Sequence, residues 1–268
     1  MSNNFKPGLA NVYFEVWFVL MHNLSFINLP DVEWNKAELT ELDRLNQAVD
    51  TCRICSDKGY VAFSRPIDRG NASKRLWLIG QAPGFSEGER KIAFAGQSGQ
   101  KLMQWFARTG LSEEQVRDYF YLSAINKCYP GRANGGGGDR NPGPAERALC
   151  RPFLLRELML IRPKLVILVG STAIKEVYGE KIKLEEIIAH PQQMTLDELK
   201  TRLEARLIKA GEPLPSLGLT PGFNPASPVT VFQLPHPSGA STWLNYPQNK
   251  ALLDQALVDL KESLTGLI

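Results

Sequence analysis

Four short apolar runs dominate what this chain can become. They are Arg75–Ile79 (RLWLI), Tyr119–Ile125 (YFYLSAI), Leu165–Val169 (LVILV) and Val229–Leu234 (VTVFQL). Each is five to seven residues of mostly branched or aromatic side chains, without the polar alternation of a sheet that has one wet face. Such runs fit strands buried on both faces, which is the habit of parallel sheets covered by helices. Helical periodicity follows the runs. Gln97–Ala107 ends before Gly110, Ala145–Ile161 lies between Pro144 and Pro163, Ser171–Tyr178 ends at Gly179, and Asn249–Leu264 closes the chain. Pro144 and Gly179 sit where helix starts and stops favour them. Pro152 predicts a kink or break in the second helix. The alternation predicts an α/β fold, a four-stranded parallel sheet sandwiched between helices.

The chain has 268 residues, 43% of them hydrophobic and 22% charged, enough to bury a core without covalent staples. Residues 1–50 read as an N-terminal extension with a helical piece near Lys36–Val49, and residues 51–268 as the α/β domain. A helical and loop insertion is expected at about 180–228: one or two helices in Lys181–Lys209, then a Gly/Pro-rich loop from Gly211 to Pro228. The apolar stretch Val12–Met21 is interrupted by Glu15 and falls short of the about 20 apolar residues that cross a bilayer. It lacks the cleavage site of a secretory signal, so a cytoplasmic protein without membrane association is expected.

The polar residues cluster just past the strands. Gly80-Gln81-Ala82-Pro83-Gly84 follows the first, Asn126-Lys127-Cys128 the second, Gly170-Ser171-Thr172 the third and His236-Pro237-Ser238 the fourth. Parallel strands share one carboxyl edge, and ligands bind in the crevice beyond it. Gln81, Asn126 and His236 are therefore expected to converge on one cleft.

The net charge is +3, which permits a nucleic-acid partner without demanding one. From Arg132 to Lys164, seven basic residues face three acidic ones, which reads either as a solvated helix face or as a patch for a nucleic-acid backbone. The run Gly135–Gly138 within it reads as a loop.

The chain has four cysteines. Cys52 and Cys55 form a C-x2-C pair, while Cys128 and Cys150 stand singly. Structural zinc sites usually show two close ligand pairs, whereas one pair with two distant singles fits a [4Fe–4S] cluster gathered by the fold. Zinc, a redox C-x-x-C pair and unrelated buried thiols remain open on spacing alone.

As an ordered set, these motifs resemble the uracil-DNA glycosylase superfamily, most closely its iron–sulfur prokaryotic branches. The resemblance runs through Cys52 and Cys55, the turn Gly80–Gly84, Asn126 with Cys128, Cys150, and the His236–Ser238 loop. It implies a DNA repair enzyme of base excision repair. The expected activity is that of a monofunctional hydrolase, cleaving the N-glycosidic bond of uracil in single- or double-stranded DNA to leave an abasic site. The protein would act as a monomer, with a 4Fe-4S cluster held by Cys52, Cys55, Cys128 and Cys150. The resemblance assigns His236 as donor to uracil O2, Asn126 as base reader and Phe94 as the aromatic stacking on the flipped base. Gly80, Gln81, Ala82 and Ser238 would line the same region. Gln81 stands where those branches usually have Glu, and Ala82 where other branches have Asp. The water is then expected to be held by Glu87, by Gln81 as a neutral orienter, or by backbone groups. The alternative is a binding module of the same fold that recognises DNA or a modified base without hydrolysis.

Overall fold

The structure, a computed structural model, describes residues 40–61, 69–133, 135, 138–209, 220, 222–239 and 241–268. The Val12–Met21 stretch, most of the Gly211–Pro228 loop and part of the Gly135–Gly138 run lie outside them.

Two helices come first, α1 (Glu41–Thr51) and the single turn α2 (Ile54–Asp57). Then follow β1 (Leu76–Gly80), α3 (Phe85–Arg90), α4 (Gln97–Arg108), α5 (Glu113–Tyr119) and β2 (Phe120–Ala124). The chain continues through α6 (Pro144–Ile161), β3 (Leu165–Val169), α7 (Gly170–Tyr178) and α8 (Leu184–Ile187). It ends with β4 (Gln192–Thr195), α9 (Leu196–Lys209), β5 (Pro228–Leu234) and α10 (Pro247–Thr265).

The sheet order is β2-β1-β3-β5-β4. The first four are parallel and correspond to the four apolar runs, shifted by a residue at most ends. Every residue of β1, β2 and β3 is buried, which is why these runs lack polar alternation. The fifth strand goes beyond the four-stranded expectation. β4 joins β5 antiparallel, with Gln192 opposite Val231 and Thr195 opposite Pro228. Its sequence, QQMT, buries only Met194, so it carries no strand signature of its own. The Lys181–Lys209 segment thus holds two helices and an edge strand.

The β2 edge of the sheet is covered, and β5 is kept from being an edge. On the β2 side, Gly70 bridges Tyr121, Leu122 N–H donates to the Arg69 carbonyl at 2.6 Å, and Asn71 N–H donates to that of Phe120 at 3.2 Å. Gly70 has φ +70°, and a Cβ there would lie 2.5 Å from the Phe120 carbonyl oxygen. On the other side β4 seals β5.

α6 runs unbroken through Pro152, so of the expected kink or break the helix shows no break. α1 crosses the boundary drawn at residue 50: Leu45 and Val49 pack with Phe153 of α6, and Asn46 Oδ1 accepts from the Tyr121 hydroxyl at 2.6 Å. The described part of the expected extension therefore packs against the α/β domain in a small apolar cluster of its own. α5 starts with a capping box, Ser112 and Gln115, a start signal visible in the sequence. Among the described residues no helix is long and apolar enough to cross a membrane.

Candidate functional site

The carboxyl ends of the parallel strands open into a cleft of about 760 Å³. Its wall takes Gly80–Gly84 from the β1 turn, Ser123 and Ala124 from β2, Ser171 from α7, and His236, Pro237 and Ser238 from beyond β5. The β1–β2 ladder continues past the strands: Ile125 N–H donates to the Gly80 carbonyl at 2.9 Å and Asn126 N–H to that of Gln81 at 3.0 Å. These bonds fix the turn against the neighbouring strand. Thr172 Oγ1 donates to Gln81 Oε1 at 2.7 Å, so the amide carbonyl of Gln81 is turned toward α7.

Phe94 lines the cleft with its ring over the end of β1. Its Cζ lies 3.2 Å from where a Cβ on Gly80 would be. Its backbone is left-handed, φ +56°, an unusual conformation for an aromatic residue. Two features hold it there. The half-buried Glu87 carboxylate accepts the N–H of Gly84, through a short bond, and those of Phe94 and Ala95. Gly99 of α4 lies so close that a Cβ would fall 1.7 Å from the Phe94 carbonyl oxygen. A Gly99→Ala variant must push the Phe94 loop and α4 apart. Such overpacking is expected to cost about 1–3 kcal/mol, measurable by urea unfolding, with the cleft wall displaced. Burial pushes the Glu87 carboxyl up despite its three N–H donors, and the charge of Asp139 pushes the same way.

His236 is half-buried at the opposite wall. Its Nδ1 accepts from the Ser238 N–H at 3.2 Å and lies 2.8 Å from Ser238 Oγ. The backbone N–H can only donate, so Nδ1 carries the lone pair and Nε2 the proton. Gly170, φ +86°, backs the imidazole: a Cβ there would lie 3.0 Å from His236 Cδ2. Burial holds the His236 pKa below its ordinary 6.5, so the ring is neutral at pH 7. The unfolded chain binds this proton more readily, so stability from this group is complete above pH 6.5 and lost as pH falls through the depressed folded value. Melting temperatures of wild type and a His236→Asn variant, compared from pH 7 downward, are expected to converge in that window.

Asn126 is placed differently from expectation. It is 2% exposed, is not part of the cleft wall, and its Oδ1 is buried without a hydrogen-bond partner. Strand β2 ends at Ala124, so Ser123 and Ala124 reach the cleft instead. Below them, Lys127 Nζ donates to Ser123 Oγ at 2.7 Å, to the Ala124 carbonyl at 2.9 Å and to Glu157 Oε2 at 2.8 Å. Ser123 Oγ also donates to Glu157 Oε2, at 2.6 Å.

Arg132 and Asp139 also line the cleft. They face each other across an antiparallel bridge, with Ala133 N–H on the Gly138 carbonyl at 2.8 Å and Arg140 N–H on that of Gly131 at 2.9 Å. Residues 131–133 and 138–140 are thus the two arms of a hairpin, and they bring a guanidinium and a carboxylate to the cleft. The sequence signal was a glycine run flanked by two charged residues, but its register is not readable from composition.

Much of the expected basic patch is consumed internally. Arg140 pairs with Glu146 at 2.7 Å and Arg147 with Glu176 at 2.8 Å, Arg151 forms a short bond to the same Glu176, and Arg156 reaches Glu41 at 3.6 Å. Arg132 stays exposed.

The four cysteines converge from three segments. Cys55 and Cys128 share one buried cluster with Val61 and Leu149. The Cys150 and Cys55 thiols are hydrogen-bonded, and Lys127 N–H donates to Cys150. Cys52 feels the charges of Cys150 and Cys128. Burial pushes the Cys52 thiol up to about 12, and its bond to Cys55 together with burial pushes Cys150 well above the ordinary thiol value. Among the described residues no three His, Cys, Asp or Glu side chains close in tightly enough for one metal ion. Three buried thiols and the half-buried Cys52, gathered from three segments, make a soft four-sulfur donor set of the kind that holds an iron–sulfur cluster.

The fold and rim cleft define an α/β domain with helices flanking the sheet and a cleft at the carboxyl ends of its parallel strands, the usual ligand position of such sheets. The family described as the Uracil DNA glycosylase superfamily matches residues 67–261. The chain is 29% identical to a type-4 uracil-DNA glycosylase of Thermotoga maritima over 162 residues, 59% of this chain and 76% of that protein. It is 28% identical over 141 residues to one from Archaeoglobus fulgidus, covering 53% and 65% of the two chains. For one from Pyrobaculum aerophilum the identity is 26% over 144 residues, covering 53% and 68%. The chain belongs to the uracil DNA glycosylase superfamily.

Proposed function

We propose that this protein is a monofunctional uracil-DNA glycosylase acting in base excision repair. The observation that carries the reading is the neutral His236, with Nδ1 tied to Ser238, at the same cleft as the Gly80–Gly84 turn and Phe94.

Hydrolysis of the glycosidic bond leaves negative charge on the departing uracil and positive charge on the sugar. A neutral imidazole presents a fixed Nε2–H to uracil O2 without bringing a cation that the anion must then lose. The main-chain N–H groups of the Gln81–Ala82 turn serve the same oxygen. Phe94 stacks on the extruded base, and base–aromatic stacking returns about 1–3 kcal/mol of the cost of unstacking. With Asn126 withdrawn from the wall, Ser123 and the main chain at Ala124 meet the edge of the base.

Monofunctional chemistry is supported by the lining: among the described residues it contains no lysine to form a Schiff base. Lys127, the nearest amine at the floor, is held by Glu157, Ser123 and the Ala124 carbonyl. Arg132 at the wall, with exposed Arg90 and Lys91 at the end of α3, would meet DNA phosphates.

Cys52, Cys55, Cys128 and Cys150 would hold a [4Fe–4S] cluster, whose contribution is a cross-link among α2, the end of β2 and α6. Nothing in the chemistry of base release draws on it.

Incubation with a uracil-containing oligonucleotide followed by alkali is expected to cleave at the uracil and nowhere else. Retarded migration of that DNA without an abasic product would replace hydrolysis with the binding-module reading. No cleavage in single or double strands, with no binding, would overturn both.

A further inference from the structure

A hydrolytic glycosylase needs a group to orient its water. The positions expected to supply one do not provide a free carboxylate. Gln81 and Ala82 have none, and the Glu87 carboxylate is engaged by three backbone N–H groups. Among the described lining residues the only other carboxylate is Asp139.

Asp139 is held for a purpose its own hairpin does not require. Its Oδ1 accepts from the Tyr129 hydroxyl at 2.9 Å. Tyr129 is itself braced edge-on by Phe85, the first residue of α3, with ring centroids 5.9 Å apart. Oδ2 points back to the β1 turn and lies 3.3 Å from where a Cβ on Gly84 would stand. No described residue donates a hydrogen bond to Oδ2. The absence of a side chain at Gly84 leaves that point unfilled, with Glu87 Oε2 3.1 Å from it on the turn's own side. One oxygen is thus fixed and the other is presented to the cleft, the arrangement a water-orienting carboxylate needs. Arg132, directly across the hairpin, lines the same wall.

We propose that Asp139 is the catalytic residue that holds and deprotonates the attacking water, with Tyr129 as its positioning residue; this rests on the glycosylase reading above. The water oxygen bonds to C1′ of the deoxyribose while the C1′–N1 bond breaks and its electron pair leaves with uracil. Asp139 Oδ2 takes the water proton, which then passes to solvent or to the released base. The products are uracil and an abasic deoxyribose bearing the new hydroxyl.

The test compares wild type, Asp139→Asn, Asp139→Ala and Tyr129→Phe, as holoproteins, in single-turnover cleavage of uracil DNA alongside binding titrations with the same DNA. Asparagine keeps an acceptor for the Tyr129 hydroxyl, so the hairpin stays anchored. Asp139→Asn is expected to lose about 10²-fold in rate, the low end for a positioned general base, with DNA affinity unchanged. Tyr129→Phe is expected to lose less. Added formate is expected to restore part of the rate to Asp139→Ala without changing its affinity.

Wild-type activity with an undiminished Asp139→Asn rate would overturn the assignment while leaving the glycosylase reading intact. So would a Tyr129→Phe loss equal to that of Asp139→Asn with no response of Asp139→Ala to formate, because that is the signature of a hairpin anchor alone. Wild type without abasic product would overturn the glycosylase reading, and the role of Asp139 with it.

Discussion

Replacing His236 with alanine is expected to slow uracil release by about 10²–10³-fold while leaving DNA affinity near that of the wild type. The rate loss follows from the geometry of a single proton. Ser238 N–H occupies Nδ1, which leaves Nε2–H as the donor, and burial keeps the ring neutral. A preformed donor of this kind stabilises charge that exists only as the bond breaks, so its loss falls on the chemical step rather than on binding. Single-turnover rates and binding titrations separate the two. Ser238→Ala removes the hydroxyl but keeps the backbone N–H on Nδ1, so its loss is expected to be much smaller. An unchanged rate in His236→Ala would remove the main support of the proposed mechanism.

The second large effect concerns the floor of the cleft. Lys127→Met is expected to destabilise the protein by about 3–5 kcal/mol, because it strands a buried carboxylate. Glu157 is fully buried and Lys127 only 8% exposed at the side chain. Without the ammonium, Glu157 Oε2 keeps only the Ser123 hydroxyl, and Oε1 already has no partner. Urea unfolding of the holoprotein measures the loss. Replacing both partners, Lys127→Met with Glu157→Leu, is expected to recover most of it, since no isolated charge remains. If the single substitution costs no more than the pair, the ion pair is not what braces the floor.

The parts of the fold legible in the sequence were those whose physics is local. β1, β2 and β3 are buried on both faces, so their apolar runs announce them. β4 stayed hidden because an edge strand can be polar, and QQMT buries only Met194. The capping box at Ser112 and Gln115 marks the start of α5 in local chemistry alone. The cleft was legible as a rim, because strand ends in a parallel sheet must share an edge. Which side chain of a strand end faces it was not. The β2 ladder runs on past Ala124, and that extension buries Asn126, which was expected at the cleft. The basic stretch around α6 looked like a surface for phosphates only because Glu176, its partner for two arginines, comes 25 residues after Arg151. Asp139 was unreadable for a related reason. A hairpin register is set by hydrogen bonds across a glycine run, and glycines carry no side-chain pattern to reveal it. The four cysteines do gather in the fold, which their spacing alone left open among several readings.

The short strand β4 has one more consequence. β5 carries Val229, Val231 and Phe232, a hydrophobic β-prone segment that could pair with a neighbouring molecule wherever its backbone lay open. The polar Gln192 and Gln193 take up that backbone instead, and Gln193 trades side-chain bonds with Thr230 at 2.9 and 3.1 Å. What presents itself outward is then two amides and a threonine rather than a valine ladder. Proteolytic nicking in that insertion would therefore show first as precipitation of otherwise folded protein, before any loss of the rim chemistry.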